Sequence, residues 1–301
     1  MLDASGSVVA DQREPTPRDG PRLLDVLVAL AQDLIAQAGE VAGVGIGAPG
    51  LVDGLGTLQF APNLPGVVGL AIGAAVADRL RAVPVVVDND ATCAGWAEAL
   101  MGSAHGCRYV LMATLGTGIG GGLVVDGRVV RGAYGFAGEI GHTIVDPAGP
   151  LCPCGQRGCW ERYASGSGLG WMGREAAEAG LAPGLVDRAG GDPENVRGEH
   201  VTAAARAGDA AAQEVMDRFG WWVALGLANL ANILDPECIV VGGGLIEAGE
   251  VLLAPTRRAF DRLLEGARHR PAIPIVAAAL GERAGAIGAA LLARPSDRPV
   301  T

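Results

Sequence analysis

Aromatic side chains, lysine and long apolar runs are the features that this sequence has least of. Only 4% of its 301 residues are Phe, Trp or Tyr, whereas 50% are hydrophobic and 48 are glycine. The core must therefore be built mainly from aliphatic and small side chains. A chain of this length supplies one large domain or two ordinary ones, with ample core.

Basic residues are too few and too scattered for a nucleic-acid surface. Lysine is absent, and 23 arginines against 33 acidic residues give a formal net charge of −10. The arginines form no basic run. Proteins that bind nucleic acids need clustered positive charge to neutralise the phosphates, so we expect no nucleic-acid partner.

The sequence also lacks signals for export and membrane insertion. Residues 1–6 contain no charged segment that leads into an apolar one, as a signal peptide would. No apolar run reaches the roughly 18 residues of a membrane span. We therefore expect a cytoplasmic protein without membrane contact. In that compartment thiols stay reduced, and a cysteine cluster indicates a metal site more often than disulfides.

Four potential metal ligands are concentrated in one segment. Cys152, Cys154 and Cys159 lie within eight residues, and His142 lies ten residues before the first of them. Three thiolates and an imidazole form the donor set of a closed tetrahedral zinc site. The spacing therefore predicts a structural Zn²⁺. The alternative is that nearby cysteines of this segment pair as disulfides.

Two carboxylates bracket the metal segment. Glu139 lies three residues before His142, and Glu161 lies two residues after Cys159. A purely structural zinc site has no need of these acids, whereas carboxylates accept hydrogen bonds from sugar hydroxyl groups. The segment is therefore also a candidate site for a polyhydroxylated substrate.

Two glycine-rich turns follow predicted strands, which cover residues 109–114 and 238–241. Glycine lets backbone N–H groups approach phosphates closely, but a glycine-rich hairpin is equally found as a tight turn without a ligand. The first turn, Leu-Gly-Thr-Gly-Ile-Gly-Gly-Gly, is neither a Walker A nor a Rossmann motif, since no Gly-Lys-Ser/Thr and no helix follow it. The candidate nucleotide-binding residues are Gly116, Thr117, Gly118, Gly120, Gly121, Gly242, Gly243 and Gly244.

The polar triplet Asp88-Asn89-Asp90 ends an apolar strand predicted at 83–87. Open α/β sheets bind ligands at the carboxyl ends of their strands, which makes the triplet a candidate for catalysis. The alternative is that one aspartate merely caps the helix that follows. Both roles can be present together, with one residue of the triplet capping the helix and another taking part in catalysis.

Strands and helices alternate along the chain, which is typical of an α/β fold. Asp126-Gly127 predicts a hairpin turn between strands at 121–125 and 128–130. Gly285 and Gly288 in the last predicted helix would permit close approach to a neighbouring element. Residues 181–200 are rich in Gly, Pro and charge, and we expect them to form a flexible excursion. The predicted helices are 21–39, 67–81, 91–101, 203–234 and 281–293.

Taken together, these motifs resemble the signature of the ROK family of bacterial sugar kinases and repressors, over nearly the whole chain. Gly-Glu-Ile-Gly-His at 138–142 and the cysteine segment carry the resemblance, and Cys-Trp-Glu-Arg-Tyr-Ala-Ser-Gly at 159–166 looks most like actinobacterial-type ATP-dependent glucokinases. The resemblance implies an α/β, two-lobed, actin-like (ribonuclease-H-like) ATPase fold with an inserted zinc-binding loop. It implies a small lobe of residues 1–104 plus a C-terminal helix near 285–297, and a large lobe of residues 105–284.

The resemblance also implies roles for individual residues. Asp90 would be the catalytic base that accepts the proton of the attacking sugar hydroxyl. The glycine turns would bind ATP, which enters with Mg²⁺, while the zinc would be structural and the protein a homodimer. Asn63, in a Pro-flanked loop, is a weaker sugar-binding candidate that is equally typical of a turn. The main sugar-binding candidates are Asn89, Asp90, Glu139, His142 and Glu161.

The leading hypothesis is a ROK glucokinase that converts ATP and glucose to ADP and glucose 6-phosphate. Kinases for other hexoses, such as N-acetylmannosamine or fructose, share the motifs, and polyphosphate is an alternative donor. The alternative from a different class is a catalytically impaired sugar-binding or regulatory ROK protein.

One element of the family pattern is missing from the start of the sequence. Family members normally begin with a strand and a turn of the type Asp-x-Gly-Gly-Thr, whereas this sequence opens at what resembles the end of the second strand, at residues 2–10. A truncated gene, a wrongly chosen start codon or a degenerate homologue would explain the difference. We therefore expect the chain as written to bind glucose but to phosphorylate it poorly or not at all.

Overall fold

The computed structural model describes residues 1–61, 64, 66–81 and 83–294. Within these residues the chain has an α/β arrangement, and none of its helices there is both long and apolar enough to cross a membrane. The α-helices are α1 (Gly20–Ala38), α2 (Ile72–Leu80), α3 (Asp90–Met101), α4 (Glu161–Ala164), α5 (Gly166–Glu178), α6 (Pro183–Arg188), α7 (Gly198–Arg206), α8 (Ala210–Leu234), α9 (Glu250–Leu263) and α10 (Ala284–Leu292). The strands are β1 (Val44–Ala48), β2 (Leu51–Val52), β3 (Leu58–Phe60), β4 (Val85–Asn89), β5 (Val110–Leu115), β6 (Ile119–Val125), β7 (Arg128–Val129), β8 (Cys238–Gly242) and β9 (Ile275–Ala277).

The chain forms two compact units. Unit 1 contains Met1–His105, Gly122–Gly138 and the chain from Leu280 onward, and unit 2 contains Gly106–Gly121 and Glu139–Ala279. Residues 122–138, which the family resemblance would assign to the large lobe, thus belong to unit 1. The lobe boundaries implied by the resemblance stay a prediction.

Unit 1 contains a parallel strand pair, β1 and β4, and an antiparallel pair, β2 and β3. Gly47 lies beside Asp88 in the register of β1 and β4, so the parallel pair ends at the polar triplet. Helices α1 and α2 contribute aliphatic side chains to the core of this unit, as expected for a chain with few aromatic residues. Members of this core are Leu23, Leu24, Val28, Val52, Leu58, Ile72 and Val76.

Helix α10 packs tightly against β1 and α3 in the same unit. A Cβ atom on Gly45 would lie 1.8 Å from the carbonyl oxygen of Ala289, and one on Gly288 would lie 1.7 Å from that of Cys93. Both positions therefore require glycine. The close approach predicted for Gly288 is confirmed.

Three parallel strands form the buried centre of unit 2, with β8 between β5 and β9. Every residue of β8 is buried. The sheet that contains these strands has the order β7-β6-β5-β8-β9. The predicted hairpin between β6 and β7 is confirmed, and its turn residues Asp126 and Gly127 have φ values of 54° and 70°, as two-residue type I′ turns require.

Several aromatic residues of unit 2 lie on α8 or pack against it. Trp160 is fully buried, and its Nε1 donates to the Trp222 carbonyl oxygen at 2.7 Å. Tyr163 stacks on the Trp222 ring at a centroid distance of 4.0 Å. A Cβ atom on Gly226 would lie 2.0 Å from the Trp160 ring. Glycine in α8 therefore makes room for an indole that lies next to the cysteine segment.

The prediction of one continuous helix over 203–234 is wrong. The structure has two helices, α7 and α8, because Gly208 adopts a φ of 87° and Asp209 caps α8 by accepting the Ala212 N–H at 2.9 Å. The apolar pattern runs across the break and hides it. The helix predicted for 67–81 is also too long, since α2 begins only at Ile72.

The expected flexible excursion at 181–200 contains regular structure instead. Helix α6 and a 3-10 turn at Pro193–Asn195 lie within it. Val196 is fully buried, and its carbonyl oxygen accepts Nη1 of Arg174 at 2.9 Å. Composition was misleading because these tertiary contacts are not visible in the local sequence.

Candidate functional site

The four predicted metal ligands lie together in unit 2. The ligand atoms of His142, Cys152, Cys154 and Cys159 are all within 4.8 Å of one another. The Sγ atoms of Cys154 and Cys159 are 3.5 Å apart, and Sγ of Cys152 is 3.7 Å from Nδ1 of His142. Around a tetrahedral zinc with Zn–S bonds of about 2.3 Å, sulfur ligands are separated by about 3.8 Å. The cluster therefore fits a tetrahedral metal ion. All six cysteines lie in the described residues and are free thiols, so the disulfide alternative is not present.

Backbone turns direct the ligands of this cluster towards one centre. The Cys152 N–H donates to the carbonyl oxygen of Gln156 at 2.7 Å and closes a tight turn. A Cβ atom on Gly158 would lie 1.6 Å from the Asp146 carbonyl oxygen, so only glycine allows this approach. The Tyr163 hydroxyl donates to Oδ2 of Asp146 at 2.6 Å. Burial, reinforced by that carboxylate, raises the pKa of Tyr163 to about 12, so the phenol remains a donor at neutral pH.

His142 presents its second ring nitrogen to a carboxylate. Its Nε2 lies 3.9 Å from Oε2 of Glu139, across the single 3-10 turn Ile140–His142. A carboxylate within hydrogen-bond distance would orient a metal-binding imidazole and select its tautomer, but the 3.9 Å separation here exceeds that distance. The two side chains remain 32% and 39% exposed. Both are therefore accessible to a small polar ligand.

Glu161 contacts the first glycine turn. Its Oε2 accepts the Ile119 N–H at 2.8 Å, and a Cβ atom on Gly118 would lie 2.4 Å from the same oxygen. The sequence singled out Glu161 as a sugar ligand, and the structure adds a contact to the turn. No local pattern reveals this contact, since 42 residues separate the two partners.

The two glycine turns lie side by side at the carboxyl ends of β5 and β8. Thr114 pairs with Gly242 in the parallel ladder. Gly243 has a φ of 79°, and a Cβ atom there would lie 2.4 Å from the Leu115 carbonyl oxygen. The carboxyl edge of parallel strands is where α/β sheets bind their ligands. The structure therefore brings the two predicted turns together at the edge expected for a ligand.

A cavity of about 770 Å³ opens beside these turns in unit 2. Its volume lies in the range of about 300–1,000 Å³ that is typical of small-molecule sites. Sequence reasoning missed its arginines, which lie on or next to α5 and α7 and belong to no motif. The charged lining residues are Arg174, Arg197, Glu199, Arg206 and Glu247. The small and uncharged ones are Gly116, Thr117, Gly166, Ser167, Gly170, Gly198, Thr202, Ala203, Gly244, Leu245 and Ala248.

Asn89 and Asp90 lie in unit 1, at the junction of β4 and α3. Asn89 is the helix cap: its Oδ1 accepts the Thr92 N–H at 3.0 Å, and its Nδ2 donates to the Gly50 carbonyl oxygen at 3.1 Å. Asp90 follows in the first turn, where its Oδ1 accepts the Ala91 N–H at 2.8 Å. The surrounding protein removes part of its hydration, and this burial raises the pKa of Asp90 above its usual value although the hydrogen bond opposes it. By its accessible surface the residue is nonetheless exposed to solvent, as a base that meets a substrate must be.

The first residue of the triplet has a structural partner. Asp88 is buried and accepts Nε of Arg131 on Oδ2 at 2.7 Å and the Asn89 N–H on Oδ1 at 2.9 Å. Arg131 lies 43 residues further along the chain and belongs to no motif, so the sequence did not reveal it. The ion pair fixes the strand end from which Asn89 and Asp90 project.

The predicted sugar ligands are divided between the units. Asn89 and Asp90 belong to unit 1, whereas Glu139, His142 and Glu161 belong to unit 2. Asn63 lies outside the described residues. The sugar-binding role of all six residues stays a prediction.

Comparison with known proteins matches this chain to one family. The sequence profile described as the ROK family matches residues 1–296. The glucokinase of Streptomyces coelicolor is 38% identical over 304 residues, which cover 99% of this chain and 94% of the relative. The N-acetyl-D-glucosamine kinase of Pectobacterium atrosepticum is 35% identical over 309 residues, which cover 97% and 93%.

A solved structure gives the same result for the fold. The ROK family glucokinase of Streptomyces griseus, crystallised with glucose and AMPPNP, is 39% identical, superposes with a TM-score of 0.83, and covers 97% of this chain and 94% of its own. The actin-like α/β fold implied by the resemblance is therefore confirmed. By profile, sequence relatives and fold, the chain belongs to the ROK family.

Proposed function

We propose that this chain is a hexose kinase that transfers the terminal phosphoryl group of ATP to the 6-hydroxyl of glucose. The observation that carries the proposal is the pair of glycine turns at the carboxyl ends of β5 and β8, which open on a cavity of about 770 Å³. Its relatives include proteins named glucokinase. The ROK family also contains repressors, so family membership alone does not distinguish a kinase from a repressor, and the proposal depends on the residues of the site.

The cavity of unit 2 is the proposed donor site. Backbone N–H groups of a glycine turn bind phosphates because no side chain blocks their approach. The small residues Gly170, Gly198 and Ala203 leave room for a flat nucleobase, and Arg174 and Arg197 provide positive charge near an anionic donor. Mg²⁺ would enter with ATP and neutralise charge on the transferring phosphoryl group.

Asp90 is the proposed catalytic base. Its carboxylate accepts the proton of the 6-hydroxyl as that oxygen bonds to phosphorus. Its raised pKa brings it closer to the pH at which a general base is effective. Asn89, Glu139, His142 and Glu161 are the proposed partners of the sugar hydroxyls, and Asn63 is a further candidate.

His142, Cys152, Cys154 and Cys159 would hold a structural Zn²⁺ that fixes their loop and takes no part in phosphoryl transfer. Nδ1 of His142 faces the cluster, so the opposite ring nitrogen, Nε2, would meet a sugar hydroxyl. Removing the metal would therefore disturb the sugar site. We further expect a cytoplasmic homodimer.

The direct test is a comparison of phosphoryl acceptors. Formation of sugar phosphate from ATP is measured with glucose, N-acetylglucosamine, N-acetylmannosamine, fructose and mannose, and polyphosphate is tested as the donor with glucose. Product is identified by mass spectrometry, and rates are read as ratios. Glucose 6-phosphate as the preferred product supports the proposal. Preference for another sugar would assign that hexose, and glucose binding without product would favour a sugar-binding protein.

A further inference from the structure

One short segment joins the metal cluster to the first glycine turn. It begins at Cys159, a fully buried member of the cluster, and ends at Ser167. Glu161 accepts the Ile119 N–H at 2.8 Å. The Gly166 N–H donates to the Gly116 carbonyl oxygen at 2.8 Å. Oγ of Ser167 donates to the Thr117 carbonyl oxygen at 3.0 Å. Three hydrogen bonds thus connect this segment, Cys159–Ser167, to the turn at 116–119.

We propose that the metal cluster controls binding of the phosphoryl donor through this segment, with Glu161 as the positioning residue for the turn. The identity of the ligand as a nucleotide rests on the proposed function. The coupling itself rests on the contacts of unit 2. The segment gives the metal a role in donor binding in addition to its proposed effect on the sugar site.

The position of Glu161 depends on its neighbours along the chain. Helix α4 has only four residues, which is too short to be stable without tertiary contacts. It is held at its start by Cys159 and by Trp160, whose Nε1 donates to the Trp222 carbonyl oxygen, and further along by Tyr163, whose hydroxyl donates to Asp146. Loss of the metal frees the first of these attachments. The carboxylate of Glu161 then loses its fixed place beside Gly118.

Steric space and hydrogen bonding both favour the contact between Glu161 and the turn at 116–119. Ile119 is only 7% exposed, and a buried N–H without an acceptor is costly. Gly118 has no side chain, which allows Oε2 to approach the turn. By accepting the Ile119 N–H, Glu161 fixes the turn.

Coupling of this kind is reciprocal. If zinc tightens nucleotide binding by some factor, the nucleotide must tighten zinc binding by the same factor. Zinc affinity measured with and without Mg·ADP therefore gives an independent value of the coupling. Agreement of the two factors, which linkage requires whatever the structural cause, checks that both titrations are at equilibrium.

The experiment uses the full chain and Mg·ADP as the probe. Its dissociation constant is measured by titration calorimetry on zinc-loaded protein, after removal of zinc with a chelator, and after zinc is restored. We expect it to rise about tenfold on removal, the effect of one lost hydrogen bond to a charged group, and to recover on restoration. Hydrogen exchange of the Ile119 amide should accelerate in the stripped protein.

Two substitutions of Glu161 distinguish the effect of its hydrogen bond to the turn from the effect of its negative charge. Glu161→Ala removes the acceptor and should weaken Mg·ADP binding about tenfold with zinc still bound. Glu161→Gln keeps an acceptor for the Ile119 N–H and should stay within about twofold of the wild type. Glu175→Ala, at an exposed residue of α5, is the matched control and should leave the affinity unchanged.

Equal Mg·ADP affinity with and without zinc, or in Glu161→Ala and the wild type, would overturn the coupling. If Mg·ADP binds to no form of the protein, the proposed function fails instead. Exchange of the Ile119 amide, which needs no ligand, then still decides whether the metal fixes the turn through Glu161. Protection unchanged by zinc removal would refute this role of the metal, and lost protection would support it.

Discussion

Nε of Arg131 donates a 2.7 Å hydrogen bond to Oδ2 of Asp88, and this ion pair anchors the strand end that carries Asn89 and Asp90. The Asp88 side chain is 7% exposed and that of Arg131 is 32% exposed. The other oxygen of Asp88 accepts the Asn89 N–H. With both oxygens engaged, Asp88 has a structural role, and Asp90 is the carboxylate of the triplet that is left for substrate.

Arg131→Met should destabilise the protein, because it leaves a buried carboxylate without its cation. We expect a loss of about 2–3 kcal/mol in the free energy of unfolding, below the range for fully buried pairs because Arg131 is partly exposed. Urea denaturation measures it. The control is Arg13→Met, which removes the exposed pair with Glu282 and should cost less than about 1 kcal/mol. Equal losses in the two variants would show that the pair does not anchor the strand end.

The protein should contain one Zn²⁺ per chain, held by the four clustered donors. Elemental analysis of protein purified without chelators measures the content, and Cys154→Ser should reduce it strongly because a tetrahedral site loses one of its four ligands. Cys107→Ser, at a partly exposed cysteine outside the cluster, should leave the zinc content unchanged. A wild-type preparation without zinc would contradict the assignment.

The sequence predicted those features that depend on neighbouring residues. The four metal donors follow from spacing within one segment, and the Asp126-Gly127 turn follows from its residue types. The sequence did not predict the break between α7 and α8, since the apolar pattern continues through Gly208. Contacts such as Arg131 with Asp88 and Glu161 with Ile119 were also missed. They join residues 43 and 42 positions apart, and only the folded chain brings such residues together.

Asp90→Asn should remove the general base while it preserves the shape of the site. Turnover should fall by at least about 10²-fold, the usual scale for the loss of a general base. Glucose affinity should change by no more than a few-fold, since Asn still forms hydrogen bonds with a sugar hydroxyl. Steady-state kinetics and a separate glucose titration measure the two effects. Near-wild-type turnover in this variant would assign the base to another residue.

The pH dependence of turnover should reflect the environment of Asp90. Burial raises its pKa, so the carboxylate keeps its proton to a higher pH than the 3.8 of an unperturbed aspartate. Only the deprotonated form acts as a base, and kcat/KM should therefore rise with pH through a midpoint above 3.8. The residual activity of Asp90→Asn should lack this acid limb. A midpoint at or below the unperturbed value would show that solvent hydrates Asp90 fully.

The most direct test of the central claim is formation of glucose 6-phosphate from ATP and glucose by the wild-type chain and by Asp90→Asn at matched zinc content. We predict ATP-dependent product from the wild type, against the poor or absent turnover that the sequence alone led us to expect, with glucose preferred over the other hexoses and product reduced at least about 10²-fold in the variant. Glucose and Mg·ADP binding with no product above that of the variant would contradict this prediction, and would show that the chain binds the sugar without phosphorylating it.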